Sequence, residues 1–288
     1  MKPCVLCSPG NPRLLFQLPK VRVLECRDCG LAFVDETISG GELQEMYNAE
    51  NYYKEEFTFY VEGIEDKITE DNLASFARAG QCMRPGKILD VGCADGAFLG
   101  KLDPHVWERH GLDISERAIQ KARESWDGRG ITFYRGEFLG IPLPAGYFDV
   151  VTLWMVVEHL NDPLAVFRKI NQVLAPGGIV VVKTPNRDSL LSHFAEWLYR
   201  VSLRRFSSPL SLYYTFLHLY FFDEASLSRL LRMSGFEVAG GWQEERYVTR
   251  HALARFKWWK RIALRSIVAL SRWARKMDAL VLCGRKQG

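Results

Sequence analysis

Two sets of residues in this sequence have the types and spacing to do chemistry. The first is four cysteines in two C-x-x-C pairs, Cys4 and Cys7 in CVLC and Cys26 and Cys29 in CRDC. Eighteen residues separate the pairs, within the spacing of a four-cysteine zinc site. Four thiolates close a tetrahedron and leave no open position, so a Zn2+ held there is structural. The second set is three carboxylates, each at the end of an apolar segment: Asp90 in ILDVGCADGAFLG, Asp113 in HGLDIS and Glu137 in GEFLGIP. The first of these segments reads as a buried strand, a glycine elbow from Gly92 to Gly96, and the opening of a helix. Such elbows bring backbone N–H groups toward a ligand.

The elbow excludes two common ligands. A dinucleotide fingerprint would place glycines at 92, 94 and 97, where the chain has Gly92, Ala94 and Ala97. A phosphate loop would need Lys-Ser or Lys-Thr after the turn, and none follows. Asp90, just before the turn, would repel a pyrophosphate. Asp113 lies 21 residues beyond Gly92, where an acid can accept both hydroxyls of a ribose. The expected ligand therefore has a ribose and no phosphate.

The elements that must position these residues alternate. Strands are expected near 88–91, 109–113, 131–134, 148–154 and 179–183, and helices near 95–102, 116–125 and 163–174. Asp162 and Pro163 open the last helix and Pro176-Gly177-Gly178 closes it. A further helix runs from Asp223 to Gly235, and FEVAGG and DALVLCG are the remaining strand candidates. Alternation of this kind gives an α/β fold with a parallel sheet and helices on both faces. Ahead of it, RLLFQLPKVRVLE supplies two short strands between the cysteine pairs, a zinc ribbon over 1–36 that is too small for a core and depends on its metal. A helical linker or cap follows over 37–80, with a short helix around Glu42 to Tyr47 and a longer one over 71–83. The main domain occupies 81–288.

The ordered set DVGCADG, GLDIS, GEFLGIPLPAGYFDVV and VVEHLNDP resembles class I S-adenosylmethionine-dependent methyltransferases over roughly residues 80 to 245. The ribbon followed by CGLAFV and ELQEMYNAENYY is similar to bacterial members of sugar, polysaccharide and natural-product biosynthesis. The resemblance implies a Rossmann-like, doubly wound, mostly parallel seven-stranded sheet. It implies that Asp90, Gly92, Cys93, Ala94 and Gly96 hold the methionine part of S-adenosylmethionine and that Asp113 and Ile114 hold its ribose. Glu137 and Phe138 would meet the adenine, with Trp154 also at the donor. An Asp is usual in the family at Glu137, and Gly is common at Ala94. In the family both His159 and His218 face the pocket, so either is a candidate base for a hydroxyl acceptor. Some relatives build a metal site from E-x-x-E-H, and here Met155 takes the first Glu position. The implied reaction is methyl transfer to a hydroxyl of a sugar, glycan or related small metabolite. An RNA methyltransferase and a non-catalytic scaffold with the same fold are the competing readings.

Composition bounds the rest. The chain has 288 residues, 48% hydrophobic and 25% charged, with a net charge of +4, ordinary for a soluble globular protein. The first ten residues lack an apolar signal core and the seven cysteines are an odd number, which points to the reducing cytoplasm. Residues 187–222 form an aromatic-rich insert in which Leu190, Leu191, Phe194, Trp197, Leu198 and Val201 recur at helical spacing, expected as an acceptor lid or a helix packed on the core. Residues 246–286 hold 12 Lys or Arg against one acid, Asp278. A basic amphipathic helix at about 250–276, with Phe256, Trp259, Ala263, Ile267, Leu270 and Ala274 on one face, is expected there. It reads as an element for an anionic membrane surface or as a solvated helix docking on the sheet, less so as an RNA contact, while the acceptor would be a small molecule, a sugar or a lipid-linked compound. The chain is then cytoplasmic and membrane-peripheral.

Overall fold

The computed structural model describes residues 2–19, 21–35, 64–203, 205, 207–214, 218–246 and 258–287. The expected helix around Glu42 to Tyr47 and the linker after it lie outside these. Seven strands form the central sheet: β4 (Lys87–Val91), β5 (Glu108–Asp113), β6 (Ile131–Arg135), β7 (Phe148–Trp154), β8 (Leu174–Pro185), β10 (Phe236–Glu244) and β11 (Ala279–Lys286), in the order β10-β11-β8-β7-β4-β5-β6. Strands β8, β7, β4, β5 and β6 pair in parallel, and β11 runs antiparallel to both its neighbours. Strand β4 is the first of the sheet and has later strands on both sides. The crevice of a doubly wound sheet therefore opens at its C-terminal end.

Local sequence explains these elements. Strand β8 is buried on both faces from Ile179 to Pro185, the continuous apolar signature of an interior parallel strand. The α-helices among the described residues are α1 (Ile64–Ala79), α2 (Ala97–Gly100), α3 (Glu116–Ser125), α4 (Pro163–Val173), α5 (Leu190–Val201), α6 (Ser208–Tyr213), α7 (Glu224–Met233) and α8 (Trp258–Trp273). Asp162 caps α4 by accepting from the Ala165 N–H, with Pro163 in the first turn. Asp223 and Ser226 form a reciprocal capping box on α7, satisfying donors that a helix N-terminus otherwise leaves open.

Three boundaries differ from expectation. The helix expected at 71–83 is α1 and ends at Ala79, followed by a short 3-10 turn over Gly80–Cys82. The helix expected at 95–102 shrinks to four residues, Ala97–Gly100, and Trp126 fills the space that a side chain on Gly100 would need. The fifth strand starts at Leu174 rather than 179: Leu174 pairs with Phe148 of β7, and after a register shift, with Gly177 at φ +76°, Ile179 pairs with Val150.

The N-terminal segment makes the two strands expected of it, β1 (Pro12–Gln17) and β2 (Arg22–Cys26), plus β3 (Ala32–Val34). They form a four-stranded antiparallel sheet whose last member is β9 (Tyr220–Phe221), far along the chain. The ribbon is not a coreless appendage. Cys4, Leu6, Leu24, Cys26, Leu31 and Phe33 are buried in the same apolar cluster as Val182, Leu227 and Leu230 of the main domain. Arg187 fastens it further, donating to the Gly30 carbonyl at 2.6 Å and to Glu25 Oε1 at 2.6 Å.

The insert departs most from expectation. Helix α5 buries Ser192, Ala195 and Tyr199, while Phe194, Trp197 and Val201 face outward. In α8 the side chains of 258–264 lie outside the described residues. Beyond them Val268 and Ser271 are buried, Ile267 is half-buried, and Leu270 and Ala274 are exposed. The apolar face expected to run through Leu270 and Ala274 is therefore not the face that docks.

Candidate functional site

Three strand ends bring the predicted donor residues to one edge. Asp90, near the end of β4, is buried and accepts a hydrogen bond from Thr152 Oγ1 at 2.6 Å. Burial pushes its carboxyl up to about 8, opposed by the Thr152 bond. Asp113 ends β5. Its Oδ2 accepts from the Ala94 N–H at 2.9 Å and its Oδ1 from the Ser115 N–H at 2.8 Å. Burial raises its pKa, and the backbone N–H groups of Ser115, Ala94 and Ile114 pull it back. Asp113 is thus tied to the elbow on one side and to the start of α3 on the other, with its remaining lone pairs set between them.

The elbow is tight. Gly92 has φ +77°, and a side chain there would begin 2.5 Å from Val156 Cγ2. Ala94 adopts the left-handed region at φ 47°, uncommon for a residue with a Cβ. The expectation that the elbow offers its amides to a ligand is not met. Gly92 and Cys93 both donate to the Leu112 carbonyl, Gly96 to the Cys93 carbonyl, and Ala94 to Asp113. A phosphate would find these four N–H groups taken, whereas a cationic or hydroxyl-bearing ligand meets carboxylates.

The other donor-site candidates fall into two groups. Ile114 is half-buried beside Asp113, and Glu137 is exposed in the loop after β6. Cys93 and Trp154 sit in the apolar cluster under the elbow, and Phe138 in the larger core with Lys169 Nζ 5.1 Å from its ring. The Cys93 side chain therefore packs into the core, and its backbone N–H and carbonyl are used within the elbow. Its thiol pKa is raised well above normal by burial, then by Asp113, so it is no nucleophile. Trp154 stacks edge-on against Phe98, and Phe98 against Phe76 of α1, so α1 closes one flank of the elbow. The Trp154 indole N–H is buried with no hydrogen-bond partner.

Next to this edge the 157–159 turn after β7 and the segment before β9 bring three titratable groups together. The rings of His159 and His218 meet edge-on at 4.8 Å, and His159 Nε2 lies 4.0 Å from Glu158 Oε1. Glu158 Oε2 accepts from Thr184 Oγ1 at 3.0 Å. His218 Nδ1 is buried without a hydrogen-bond partner. Its pKa is held well below the usual value by burial first, then by His159 and Arg246. It is neutral near pH 7 and able to accept a proton. Glu158, His159 and His218 also offer ligand atoms within 4.8 Å of one another, as do Cys4, Cys7, Cys26 and Cys29.

The cysteine group passes a geometric test for zinc. Zinc–sulfur bonds of about 2.3 Å in a tetrahedron put sulfurs about 3.8 Å apart. Cys4 Sγ and Cys29 Sγ stand 3.6 Å apart. Burial and a hydrogen bond donated to Cys29 push the Cys7 thiol up to about 11, and a divalent cation among the thiols reverses that preference.

A methyltransferase-domain family profile matches residues 64–239, more than half of the chain and all of the strand ends described. The chain belongs to the class I S-adenosylmethionine-dependent methyltransferases. Among curated relatives, the ubiquinone biosynthesis O-methyltransferase of Cereibacter sphaeroides (strain ATCC 17025) is 34% identical over 144 residues, 47% of this chain and 58% of that protein. The enzyme of the same name from Methylococcus capsulatus is 32% identical over 174 residues, 57% of this chain and 69% of that protein. The chain thus spans a little over half the length of the first of these relatives. In fold it matches Haemonchus contortus phosphoethanolamine N-methyltransferase 2, with TM-score 0.57 and 16% identity over 87% of this chain and 61% of that one. It also matches an S-adenosylmethionine-dependent methyltransferase from Mesorhizobium loti, with TM-score 0.50 and 19% identity over 74% of this chain and 96% of that one.

Within this methyltransferase fold the sequence reading missed one network. Lys183, fully buried on β8, pairs with Asp71 of α1 at 2.8 Å and with Glu244 of β10 at 2.7 Å, and donates to Ser75 Oγ at 3.2 Å. It binds α1 to the sheet beside Trp154. A lone lysine in VVVKTP was the only signal, and its partners lie more than 60 residues away in each direction.

Proposed function

We propose that this methyltransferase moves the methyl group of S-adenosylmethionine to a hydroxyl of a small metabolite. The observation that carries the reading is the pair of acids at adjacent strand ends, Asp90 buried and Asp113 half-buried, beside an elbow whose amides are already taken. Asp113 would accept from the ribose hydroxyls and Asp90 would face the cationic methionine part. The acceptor oxygen attacks the methyl carbon in line with sulfur, the carbon–sulfur bond breaks, and sulfur keeps the electron pair as S-adenosylhomocysteine. The hydroxyl proton goes to a base, for which His159 and His218 are the candidates. Alignment and exclusion of water supply most of the rate. Cys4, Cys7, Cys26 and Cys29 would hold a structural Zn2+ that takes no part in the transfer.

The names of the curated relatives make a ring hydroxyl the first acceptor to test, and sugar hydroxyls the second. The experiment is calorimetric titration of the zinc-loaded protein with S-adenosylhomocysteine beside NAD and ATP, followed by transfer of a labelled methyl group to phenolic, sugar and RNA acceptors. Selective binding of S-adenosylhomocysteine and a labelled O-methyl product are the expected results. Label in RNA alone would replace this reading, and binding without any product would leave a scaffold. His159→Ala should lower turnover while leaving donor affinity within about threefold; equal activity would remove it as the base.

A further inference from the structure

Helix α5 packs on the core with one face and carries a second apolar stripe on the face turned to solvent. Its inward residues are Ser192, Ala195 and Tyr199, while Phe194, Trp197 and Val201 form an outward stripe at i, i+3 and i+7. Phe194 and Trp197 stack on each other at 5.9 Å. Leu203, just past the helix, is 80% exposed. Docked amphipathic helices normally turn their large apolar side chains inward, so the fold of this chain does not explain the stripe.

The neighbouring helix repeats the arrangement. In α8 Val268 and Ser271 face inward, and Leu270 and Trp273 face outward, Trp273 with 86% exposure. The two helices pack against each other. The Leu190 N–H donates to the Lys276 carbonyl at 2.9 Å, and Lys276 Nζ meets Asp188 at 2.8 Å. Of the ten large apolar side chains exposed among the described residues, six lie on or beside these two helices. The patch is therefore a concentration of exposed apolar surface, not scatter.

Its charge decides what it fits. Arg205, Arg265 and Arg275 are exposed around it. The two helices carry one acid between them, Glu196, and that is mostly covered and lies 3.5 Å from Arg200. A second copy of this surface would bring arginine against arginine. A single-stranded nucleic acid would stack on tryptophans, but Val201, Leu203 and Leu270 give bases nothing to stack on. An anionic bilayer takes all three features at once: aliphatic side chains among acyl chains, tryptophans at headgroup depth, arginines on lipid phosphates.

We propose that α5 and α8 form a joint docking surface for an anionic lipid bilayer, on which the protein lies in the plane of the interface. No helix among the described residues is long and apolar enough to cross a membrane. Helix α5 starts four residues after β8 ends, so the surface adjoins the sheet edge that carries Asp90 and Asp113. An acceptor held in the bilayer would then reach the donor edge without crossing water. Only this last step rests on the methyl-transfer reading.

The test uses the full, zinc-loaded chain with vesicles of phosphatidylcholine alone and of phosphatidylcholine mixed with phosphatidylglycerol. Co-sedimentation should favour the anionic vesicles by about tenfold or more and weaken with salt. Replacing both exposed tryptophans, Trp197→Ser with Trp273→Ser, should weaken binding by about tenfold, with S-adenosylhomocysteine affinity unchanged. A separate pair, Arg265→Glu with Arg275→Glu, should abolish the preference for anionic lipid. Equal binding to both vesicle types, undiminished binding by the tryptophan pair, displacement of vesicles by RNA homopolymer at equal affinity, or a dimer that the tryptophan pair dissociates would each overturn the proposal. Donor affinity is read separately, so failure of the surface and failure of the methyl-transfer reading give different results.

Discussion

The cysteine ribbon and the glycine elbow are both ligand sites, yet they are built in opposite ways. In the ribbon the ligand atoms themselves set the geometry: four thiols converge from two turns, with Cys4 and Cys26 buried in the core shared with the main domain. In the elbow the protein satisfies its own polar groups first. Asp113 is held by two backbone N–H groups and Asp90 by Thr152 before any donor arrives. A site of the first kind should lose structure with its ligand, and one of the second kind should lose only affinity.

The largest effect should come from the ribbon. Cys26→Ser removes one of four thiolates and should cost about 4 kcal/mol or more in stability with loss of bound zinc, while S-adenosylhomocysteine affinity stays within about threefold. Thermal unfolding, metal analysis and calorimetry read these together; a large loss of donor affinity would erase the contrast. Next is the bridge between the two regions. Arg187→Ala leaves Glu25 with Arg13 alone and the Gly30 carbonyl without this donor, and should cost about 3 kcal/mol, the worth of two hydrogen bonds from a charged group. Limited proteolysis should then cut first in residues 2–35. Unchanged resistance would mean that the shared core alone holds the ribbon.

The elbow should answer in affinity. Asp113→Ala should weaken S-adenosylhomocysteine by about 100-fold, the worth of two charge-assisted hydrogen bonds, with a smaller change in melting temperature than Cys26→Ser. Affinity within threefold of the parent would remove the ribose from this residue. The smallest effect concerns pH. A buried carboxyl raised to about 8, against about 3.9 when unfolded, makes the folded state bind the extra proton. Its stabilising contribution is full below about pH 4 and is lost as pH rises through 8. Asp90→Asn should flatten that slope in thermal unfolding, and an unchanged slope would assign it to other groups.

The elements with local punctuation were legible in the sequence. Asp162-Pro163 and Asp223 mark the two helix starts that the structure shows, and the strand ends at Asp90 and Asp113 fall where apolar runs stop. What was not legible depended on distance or on an absence of pattern. Apolar spacing in 190–201 specifies a helix but does not say which way its stripe faces, and it faces out. Strand β9 is two residues long and is a strand only because β3 lies beside it. The Lys183 network joins three elements that no local window contains. The amides of Gly92, Cys93 and Ala94 looked available because their acceptors, the Leu112 carbonyl and Asp113, belong to the next strand.

The pairing of β3 with β9 has a consequence for how the chain is made. The four ribbon cysteines all lie between residues 4 and 29, so the metal's ligands are made together. The strand that completes the ribbon's sheet arrives only at Tyr220–Phe221. At about 5–20 residues per second, the interval from residue 34 is on the order of 10–40 s. Throughout it Leu24, Leu31 and Phe33 lack the partners that bury them in the finished molecule, so the newborn ribbon is a natural client for chaperones until the second half of the chain comes to cover it.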